Sequence, residues 1–350
     1  MATTAANLPA KMKEIQIVKL GDNFREVTKI VEVPVPKPGP RQVVIKTSFL
    51  AVNISDILYT LGEHTPGVDP PFPAGLEGMG EIVAVGRGST KKVGQTVAFF
   101  AHGAFREYVV VNDFTLVPTP NCTDPAYLVF PVSAITASAA LEKKGNLQRG
   151  ETVLVTAAAG AVGHIAVQLA KAAGCRVIGT CSSDDKVAYL KSIGCDRPIN
   201  YNKESVADVL KREYPKGINT VFESVGGEML DIALQNLAFF GRIIVLGTTS
   251  AHSKNDGTKS AKPTVDVPSQ LLLKSADMNT LNMVYYKSEI PKYIQQTISL
   301  YQSKKLKLAT DNGEKEEYGP FRGLEKVYDA MDYMFSKKSI GKVVISMGDQ

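Results

Sequence analysis

Cysteine is scarce in this chain, which has only four among its 350 residues. Cys122, Cys175, Cys181 and Cys195 show no spacing typical of a metal site, and nothing in the sequence indicates secretion. The pattern argues against a disulfide framework and against a cysteine-rich zinc cluster. We expect free thiols in a reducing compartment.

Long apolar runs and targeting signals are also missing. No uninterrupted apolar run approaches the roughly 20 residues that cross a membrane. Residues 1–9 lack the apolar core and early arginines of leader peptides, and residues 347–350 are not a peroxisomal signal. By elimination, we expect a cytoplasmic protein without membrane insertion.

Charge of one sign is not in large excess. The chain has 40 basic and 35 acidic residues, a formal net charge of +5. Its densest basic clusters, at 91–92, 143–144 and 304–307, are isolated, which is typical of solvated surface. Nucleic acid binding is therefore unsupported. The length is about twice that of an ordinary domain, which predicts more than one.

The strongest local signal is a strand, a turn and a helix in succession over residues 151–173. The run 153–155 is typical of a buried strand, and apolar residues recur at helical spacing from Val162 onward. Gly160 and Gly163 stand where the second and third glycines of G-x-G-x-x-G belong, although Ala158 replaces the first. The pattern predicts a phosphate-binding turn, with Ala159, Gly160, Ala161 and Val162 contacting a cofactor. Similar turns also precede helices in proteins that bind nothing.

The segments after this turn alternate between strand and helix patterns as far as Gly247. Such alternation predicts a parallel sheet with right-handed crossovers, and a phosphate would lie at the N-terminus of the helix that begins near Ala161. A dinucleotide is the natural ligand of this arrangement.

The end of the second predicted strand discriminates between nicotinamide cofactors. Residues 180–183 are small and neutral, and Lys186 follows them. Hydroxyl groups and an ammonium suit a 2′-phosphate, so NADPH is favoured over NADH. Asp184 and Asp185 argue the other way, unless they only complement the N-terminus of a helix.

The first part of the chain has a different pattern. Short predicted strands at 43–47, 80–85, 95–99 and 108–111 are separated by turns rich in glycine and proline. Near the C-terminus, residues 285–301 are predicted to be helical and residues 341–345 to form one more strand. We expect this tail to rejoin the first domain, with the active site in the cleft between domains.

Several motifs together resemble the medium-chain dehydrogenases and reductases. They are Ala51–Asp56, Gly75–Gly80, Gly103–Tyr108, Ala157–Gly163 and Gly341–Val344. The chain is more similar to the zinc-independent branch that contains quinone oxidoreductases, leukotriene and prostaglandin reductases and enoyl thioester reductases. Three further motifs, 179–184, 195–201 and 223–227, are most similar to the prostaglandin reductases.

The resemblance implies an α/β protein with two domains. A GroES-like, β-rich catalytic domain would comprise residues 1–130 and 309–350, and a Rossmann domain with a doubly wound parallel sheet would comprise residues 131–308. It also implies cofactor contacts. The residues concerned are Asn53 and Thr136 at the nicotinamide, Ser182, Lys186 and Tyr201 at the 2′-phosphate, and Ser224, Gly247, Thr248, Met283 and Ser339 elsewhere. Ser339 stands where many relatives have asparagine.

A catalytic zinc ion is not expected. Zinc-dependent relatives carry Cys near the position of Asn53 and His near that of Leu76, and neither residue here replaces them as a ligand. Without a Lewis acid, an α,β-unsaturated carbonyl is the easier hydride acceptor, because charge spreads into an enolate. Catalysis would then consist of positioning and of hydrogen bonds to the enolate oxygen.

Tyr59 is the predicted enolate donor. His64 is the second predicted catalytic residue: it departs from the tyrosine that the nearest relatives tend to carry, and an imidazole there changes reach and pKa, and with them proton donation or substrate choice. The predicted function is NADPH-dependent reduction of enones such as 15-oxo-prostaglandins. A quinone oxidoreductase is the alternative, and a non-catalytic NADPH-binding protein with a regulatory or structural role is the alternative of another class. The family's habit of dimerising by extending its sheet predicts a homodimer through residues 271–284.

Overall fold

A computed structural model gives the fold and describes residues 3–4, 8–63, 67–121, 123–252 and 264–348. The chain divides into two compact units. One comprises Met1–Val132 and Thr310–Gln350, and the other comprises Ser133–Ala309.

The second unit is built on a six-stranded sheet in which every pair of neighbours is parallel. In sheet order its strands are Arg197–Asn200, Arg176–Cys181, Thr152–Val155, Ile218–Glu223, Leu237–Val245 and Asp277–Thr280. Counted along the chain, this order is third, second, first, fourth, fifth and sixth, as in a Rossmann sheet. The direction of winding reverses between Thr152–Val155 and Ile218–Glu223, and sheets of this kind bind ligands outside the carboxyl ends of the strands at that point.

Six α-helices follow or connect these strands. They are Gly163–Ala172, Asp184–Ser192, Val206–Glu213, Gly227–Gln235, Val267–Lys274 and Ile290–Gln302. The strands are apolar because helices cover them, so that Leu154, Ile178, Val221 and Ile243 are completely buried. Each such side chain contributes about 2 kcal/mol through its removal from water.

The helix expected over residues 285–301 is wrong at its N-terminal end. Residues Met283–Glu289 form 3₁₀ turns with a break at Tyr286, whose φ of −117° is not helical. The α-helix proper begins at Ile290 and carries Pro291 in its first turn. Proline is favoured there because its missing N–H would have no partner in the first turn.

The first unit is rich in β-structure. The main path of its eight-stranded sheet is Thr310–Asp311, Lys342–Ser346, Gln42–Ala51, Glu77–Val85, Thr96–Phe100 and Leu116–Pro118, and Thr3–Thr4 and Tyr108–Asn112 pair at its side. A smaller sheet contains Thr28–Pro34, Lys11–Ile17 and Phe72–Pro73. The short helices are Phe24–Val27, Ser55–Thr60, Leu324–Lys326 and Val327–Phe335. This β-rich unit and the parallel sheet make up the predicted fold class.

The register of three neighbouring strands brings distant parts of the chain together. Ala51 lies opposite Glu77 on one side and opposite Val344 on the other. The N–H of Val52 donates to the carbonyl of Val343 over 3.2 Å. Residues just beyond Ala51, at Glu77 and at Lys342 therefore meet at one end of the sheet.

The helical segment Pro125–Gly145 is apolar on average but is not an uninterrupted apolar run, since it ends in Glu142, Lys143, Lys144 and Gly145. It has the length and mean hydropathy of a membrane-spanning helix, yet 72% of its most apolar window is buried inside the protein. The segment combines 3₁₀, α and π turns, and Ile135–Ala140 is its α-helical part. Its apolar character is accounted for by burial in the core.

Candidate active site

The turn after the first strand of the parallel sheet has the close backbone packing that a phosphate-binding turn needs. A side chain at Gly163 would place its Cβ 2.4 Å from the carbonyl oxygen of Ala157, so only glycine fits. Gly160 is tight but less restricted, with a corresponding distance of 3.2 Å. The α-helix begins at Gly163, slightly later than the predicted start near Ala161. Ala159 is buried, and Gly160, Ala161 and Val162 are half-buried.

Ala158, which replaces the first glycine of the motif, fits because Gly179 lies beside it. A Cβ added to Gly179 would lie 2.8 Å from the Cβ of Ala158 and 3.1 Å from the Sγ of Cys195. The N–H of Ala158 also donates to the carbonyl of Thr180 over 2.9 Å. Gly179 has no methyl group, and the second strand thus leaves room for the methyl group of Ala158 in the turn.

His164, which the sequence argument did not single out, holds this turn from behind. Its Nδ1 lies 2.9 Å from the carbonyl oxygen of Gly160 and must donate to it, while the N–H of Ala309 donates to its Nε2 over 3.3 Å. Burial lowers the pKa of His164 to about 4, against the opposing effect of the Gly160 hydrogen bond. The imidazole is therefore neutral and structural at neutral pH.

The end of the second strand brings several predicted 2′-phosphate contacts together. Ser183 begins the next helix and accepts a hydrogen bond from the N–H of Lys186 over 3.3 Å. Tyr201 donates its N–H to the carbonyl of Cys181 and shares a side-chain hydrogen bond with Ser182, while burial raises the pKa of its phenol. Lys186 is buried, with an exposed fraction of 7%. Hydroxyl groups and an ammonium are thus gathered at one strand end.

Asp184, one of the two acidic residues that argued for NADH, has other partners. Asp184 forms an ion pair with Lys203 at 2.5 Å and accepts a hydrogen bond from the Nδ2 of Asn200 over 2.9 Å. These hydrogen bonds lower the pKa of Asp184. Asp184 and Asp185 lie in the first turn of the helix, where carboxylates complement its dipole. The structure supports the capping interpretation.

Glu223 organises the carboxyl end of the fourth strand. Its carboxylate accepts hydrogen bonds from the N–H groups of Val225 and Gly226 and from the hydroxyl of Thr156, at 2.9 to 3.2 Å. Burial raises its pKa, and these hydrogen bonds oppose the rise. Glu223 therefore joins the ends of the first and fourth strands, where the sheet changes direction.

Ser224, Gly247 and Thr248 lie close together at this edge. The N–H of Ser224 donates to the hydroxyl of Thr156 over 2.9 Å. A Cβ added to Gly247 would lie 3.3 Å from the carbonyl oxygen of Ser224. A Cβ added to Gly226 would lie 3.4 Å from the Cα of Thr248. Ser224 and Gly247 are half-buried and Thr248 is exposed, so these residues are partly open to solvent at the carboxyl ends of the strands.

In the first unit, Asn53 belongs to a buried cluster of charged groups. The ammonium of Lys342 forms an ion pair with Glu77 and donates to the Oδ1 of Asn53 over 2.5 Å, and the Nδ2 of Asn53 donates to Glu77 over 3.2 Å. Lys342 and Glu77 are completely buried. Burial raises the pKa of Glu77, and the Lys342 ammonium opposes that rise.

Asp56 is the second buried carboxyl group of this cluster. Its Oδ2 accepts a hydrogen bond from the N–H of Asn53 over 2.7 Å, but its Oδ1 has no partner among the described residues. Burial raises the pKa of Asp56 from 3.8 to about 7, although Lys342 lowers it. Near neutral pH this carboxyl group is therefore partly protonated.

Tyr59 lies three residues after Asp56 on the same short helix, and its side chain is half-buried. Its hydroxyl oxygen lies 3.2 Å from the Nε2 of His102, and the two rings make an edge contact with centroids 4.8 Å apart. Burial raises the pKa of Tyr59 to about 12, and the nearby Asp56 adds to the rise. The phenol is therefore protonated at neutral pH. His64, the other predicted catalytic residue, lies outside the described residues.

Three further predicted cofactor residues lie on other elements. Thr136 is half-buried on the helix Ile135–Ala140, and Met283 begins the 3₁₀ segment Met283–Glu289. Ser339 lies in the loop before the strand Lys342–Ser346 and is also half-buried. Their contacts with a cofactor stay predictions.

Three of the residues that sequence reasoning missed had one signal in common. Glu77, Lys342 and Glu223 are charged residues at the first or last position of strands that are mostly buried. A charge at such a position is costly unless it is paired, so each one indicates a partner elsewhere in the chain. The sequence does not say which partner, because that depends on strand register.

Two family models match the chain. The model described as alcohol dehydrogenase GroES-like domain matches residues 39–121, and the model described as zinc-binding dehydrogenase matches residues 161–299. The first lies within the β-rich unit and the second within the unit with the parallel sheet. The predicted GroES-like and Rossmann folds are thereby confirmed.

Curated relatives extend over nearly the whole chain. Prostaglandin reductase-3 of Bos taurus is 44% identical over 97% of this chain and 90% of its own length. A probable quinone oxidoreductase of Leishmania amazonensis is 37% identical over 97% of this chain and 99% of its own length. The chain belongs to the medium-chain dehydrogenase/reductase family. The predicted similarity to the prostaglandin reductases within this family is also confirmed.

A solved structure shows the same fold. Mycobacterial Rv1454c, whose structure was determined in complex with NADPH, has a TM-score of 0.82 to this protein at 25% identity. The match covers 96% of this chain and 99% of that one. Both halves of this medium-chain dehydrogenase/reductase are therefore represented in a known structure.

The residues of this family member do not fit the zinc ion that one family description mentions. Leu76 offers no lone pair, and the Lys342 ammonium already bonds to both Asn53 and Glu77. A metal cation at that place would meet a positive charge. No group of three His, Cys, Asp or Glu residues in the described part of the chain is placed to hold a metal ion.

We predict that Gly179→Ala destabilises the second unit by about 1–3 kcal/mol, because its new methyl group would overlap that of Ala158. Adding Ala158→Gly should restore much of this loss, although Ala158→Gly alone should cost up to about 1 kcal/mol. Denaturant unfolding of the two single variants and the double variant tests this coupling. Strictly additive losses would contradict the proposed fit between the turn and the second strand.

We predict that Asp56→Asn stabilises the protein above neutral pH and has little effect in acid. Because folding raises the pKa of Asp56, its favourable contribution is complete below about pH 4 and is lost as the pH rises through 7. Asparagine keeps the acceptor for the N–H of Asn53 and removes the buried charge. The unfolding free energy at pH 8 should rise by about 2–4 kcal/mol. An equal change at pH 5 and pH 8 would be inconsistent with this prediction.

Proposed function

We propose that the protein is an NADPH-dependent oxidoreductase that reduces the C=C bond of α,β-unsaturated ketones, with 15-oxo-prostaglandin-like enones as the substrate class. The observation that carries this proposal is the 44% identity to prostaglandin reductase-3 over 97% of the chain. Two features of the site agree with it. They are the anion-binding edge of the parallel sheet and the hydroxyl-bearing Tyr59 in the β-rich unit.

The proposed cofactor fits the residues at that edge. The pyrophosphate would lie at the turn 159–162, against the N-terminus of the helix Gly163–Ala172. The 2′-phosphate would be held by Ser182, Lys186 and Tyr201. A buried ammonium such as that of Lys186 favours an anionic ligand, because an opposite charge offsets the cost of its burial. The NADPH in the structure of mycobacterial Rv1454c supports the same cofactor.

NADPH, when bound, supplies a hydride from its nicotinamide ring to the β-carbon of the enone. We assign to Asn53 and Thr136 the contacts that orient that ring, and to Tyr59 the hydrogen bond to the enolate oxygen that develops on the substrate. With a pKa of about 12, Tyr59 keeps its proton and acts as a donor. For the Tyr59 proton to be donated to the enolate, His102 must carry a proton on Nε2 and donate it to the Tyr59 oxygen, which holds the hydroxyl in one direction. His64 lies in the same part of the sequence and stays a second candidate for proton transfer.

Reduction of quinones is the second candidate function. The 37% identity to a probable quinone oxidoreductase over 97% of the chain favours it. The same hydride donor would serve both reactions, so only the shape of the substrate pocket separates them. Cofactor binding without turnover of either substrate would instead support a non-catalytic role.

We further propose a cytoplasmic homodimer. The three cysteines among the described residues, Cys175, Cys181 and Cys195, are buried free thiols, as expected in a reducing compartment. Asp277–Thr280 is the edge strand of the parallel sheet, and Leu272 and Leu273 on the preceding helix are 81% and 71% exposed. These features suit an interface with a second copy. Sedimentation of a monomer at micromolar concentration would contradict the dimer.

The test of the proposed activity follows the loss of NADPH absorbance with a 15-oxo-prostaglandin, an alkenal, an enoyl thioester and a naphthoquinone, with and without a metal chelator. We expect turnover of the prostaglandin enone that the chelator does not affect. Tyr59→Phe should reduce this turnover about 100-fold, because one donor to the enolate oxygen is lost. Tyr108→Phe, a buried tyrosine of the same unit, is the matched control. Turnover of the quinone alone would support the second candidate function instead.

The cofactor assignment predicts a specific effect of Lys186→Ala. The KM for NADPH should rise about 10-fold to 100-fold, while the KM for NADH should not change, because only NADPH carries the 2′-phosphate. Lys211→Ala is the matched control, since Lys211 is an exposed lysine of the same unit, in the last turn of the helix Val206–Glu213. Equal effects of Lys186→Ala on both cofactors would place Lys186 away from the 2′-phosphate.

A further inference from the structure

The motif Gly341–Val344 has no role in the reaction described so far, yet its Lys342 lies against a residue of the proposed nicotinamide site. The ammonium of Lys342 bonds to the Oδ1 of Asn53 over 2.5 Å and forms an ion pair with Glu77. Both charged side chains are completely buried. A lysine placed in this way acts on Asn53 and on no solvent-exposed group.

The chemistry of the two partners fixes the orientation of the Asn53 amide. An ammonium can only donate hydrogen bonds and a carboxylate can only accept them. The amide oxygen must therefore face Lys342, and the amide nitrogen must face Glu77. A flipped amide would set N–H groups against the ammonium and the oxygen against the carboxylate. The flipped orientation is thereby excluded.

The backbone of Asn53 is held as well. Its N–H donates to the Oδ2 of Asp56 over 2.7 Å, at the start of the helix that carries Tyr59. Beyond its hydrogen bonds to Lys342 and Glu77, the Asn53 amide retains one N–H and one lone pair for a ligand. Those two groups have a fixed direction only as long as the ion pair is intact.

We propose that Lys342 is a positioning residue of the hydride-transfer site, which acts by holding, together with Glu77, the Asn53 amide in one orientation toward the nicotinamide carboxamide. This inference rests on the proposed function, because it takes Asn53 as a contact of the nicotinamide. It assigns to the C-terminal strand a part in the reaction without any contact with the substrate. Lys342 is therefore expected to influence the rate only through Asn53.

A double-mutant cycle tests whether Lys342 acts through Asn53. Asn53→Ala and Lys342→Met should each slow hydride transfer at saturating NADPH by about tenfold or more. The double variant should be no slower than Asn53→Ala, within about twofold, because the orientation of a side chain that is absent no longer matters. Multiplied losses in the double variant would overturn the proposal.

A second variant separates positioning from folding. Lys342→Met alone leaves Glu77 buried and unpaired, which destabilises the fold, whereas Glu77→Gln together with Lys342→Met removes both charges. The uncharged pair should recover the melting temperature, but hydride transfer should stay about tenfold slow because the amide is free to flip. Recovery of the rate together with the melting temperature would overturn the proposal and leave Lys342 a purely structural role.

The matched control is Arg106→Met, which breaks another ion pair of the same unit, that of the half-buried Arg106 with the buried Glu14 at 3.2 Å. Its effect should multiply with that of Asn53→Ala. Any substrate of the panel that wild-type protein reduces serves for the cycle, so a change of substrate affects the proposed function and not this inference. With no turnover, the cycle is measured on the Kd for NADPH under the same criterion. Absence of NADPH binding would overturn both.

Discussion

The ion pair between Lys342 and Glu77 is the interaction on which the β-rich unit and its part of the site depend. It joins the last strand of the chain to a strand from the first third, on either side of Gln42–Ala51. A buried pair of this kind adds little net stability, because desolvation offsets most of the attraction. Its effect is on specificity, since only one register of the three strands brings Lys342, Glu77 and Asn53 together.

In the unit with the parallel sheet, a neutral imidazole and a carboxylate hold the loops at the carboxyl ends of the strands. His164 donates to the carbonyl of Gly160 in the turn after the first strand, and Glu223 accepts from the N–H groups that follow the fourth strand. Neither residue has to contact a ligand in order to affect the site. Both keep the backbone at the carboxyl ends of the strands in place, where a parallel sheet presents its binding groups.

The sequence was informative wherever a local pattern determines the structure. The glycine turn, the small neutral residues at 180–183 and the alternation of strands and helices follow from spacing and residue type, and the fold class was predicted correctly. The role of Gly179 could not be predicted from a local pattern, because it depends on the methyl group of Ala158, which lies in the turn after a different strand. The partner of Lys342 likewise depends on strand register. The helix begins at Ile290 because of Pro291, and this effect of the proline on the preceding residues was missed. The apolar character of the segment Pro125–Gly145 is likewise explained by its burial inside the protein.

In the proposed reaction, hydride passes to the β-carbon of an enone and not to its carbonyl carbon. NADPH carrying two deuterium atoms at C4 of its nicotinamide ring, used with a 15-oxo-prostaglandin, tests this step by NMR and mass spectrometry of the product. We expect a saturated ketone with one deuterium on the former β-carbon. An allylic alcohol with deuterium on the former carbonyl carbon, or a product without deuterium, would contradict it.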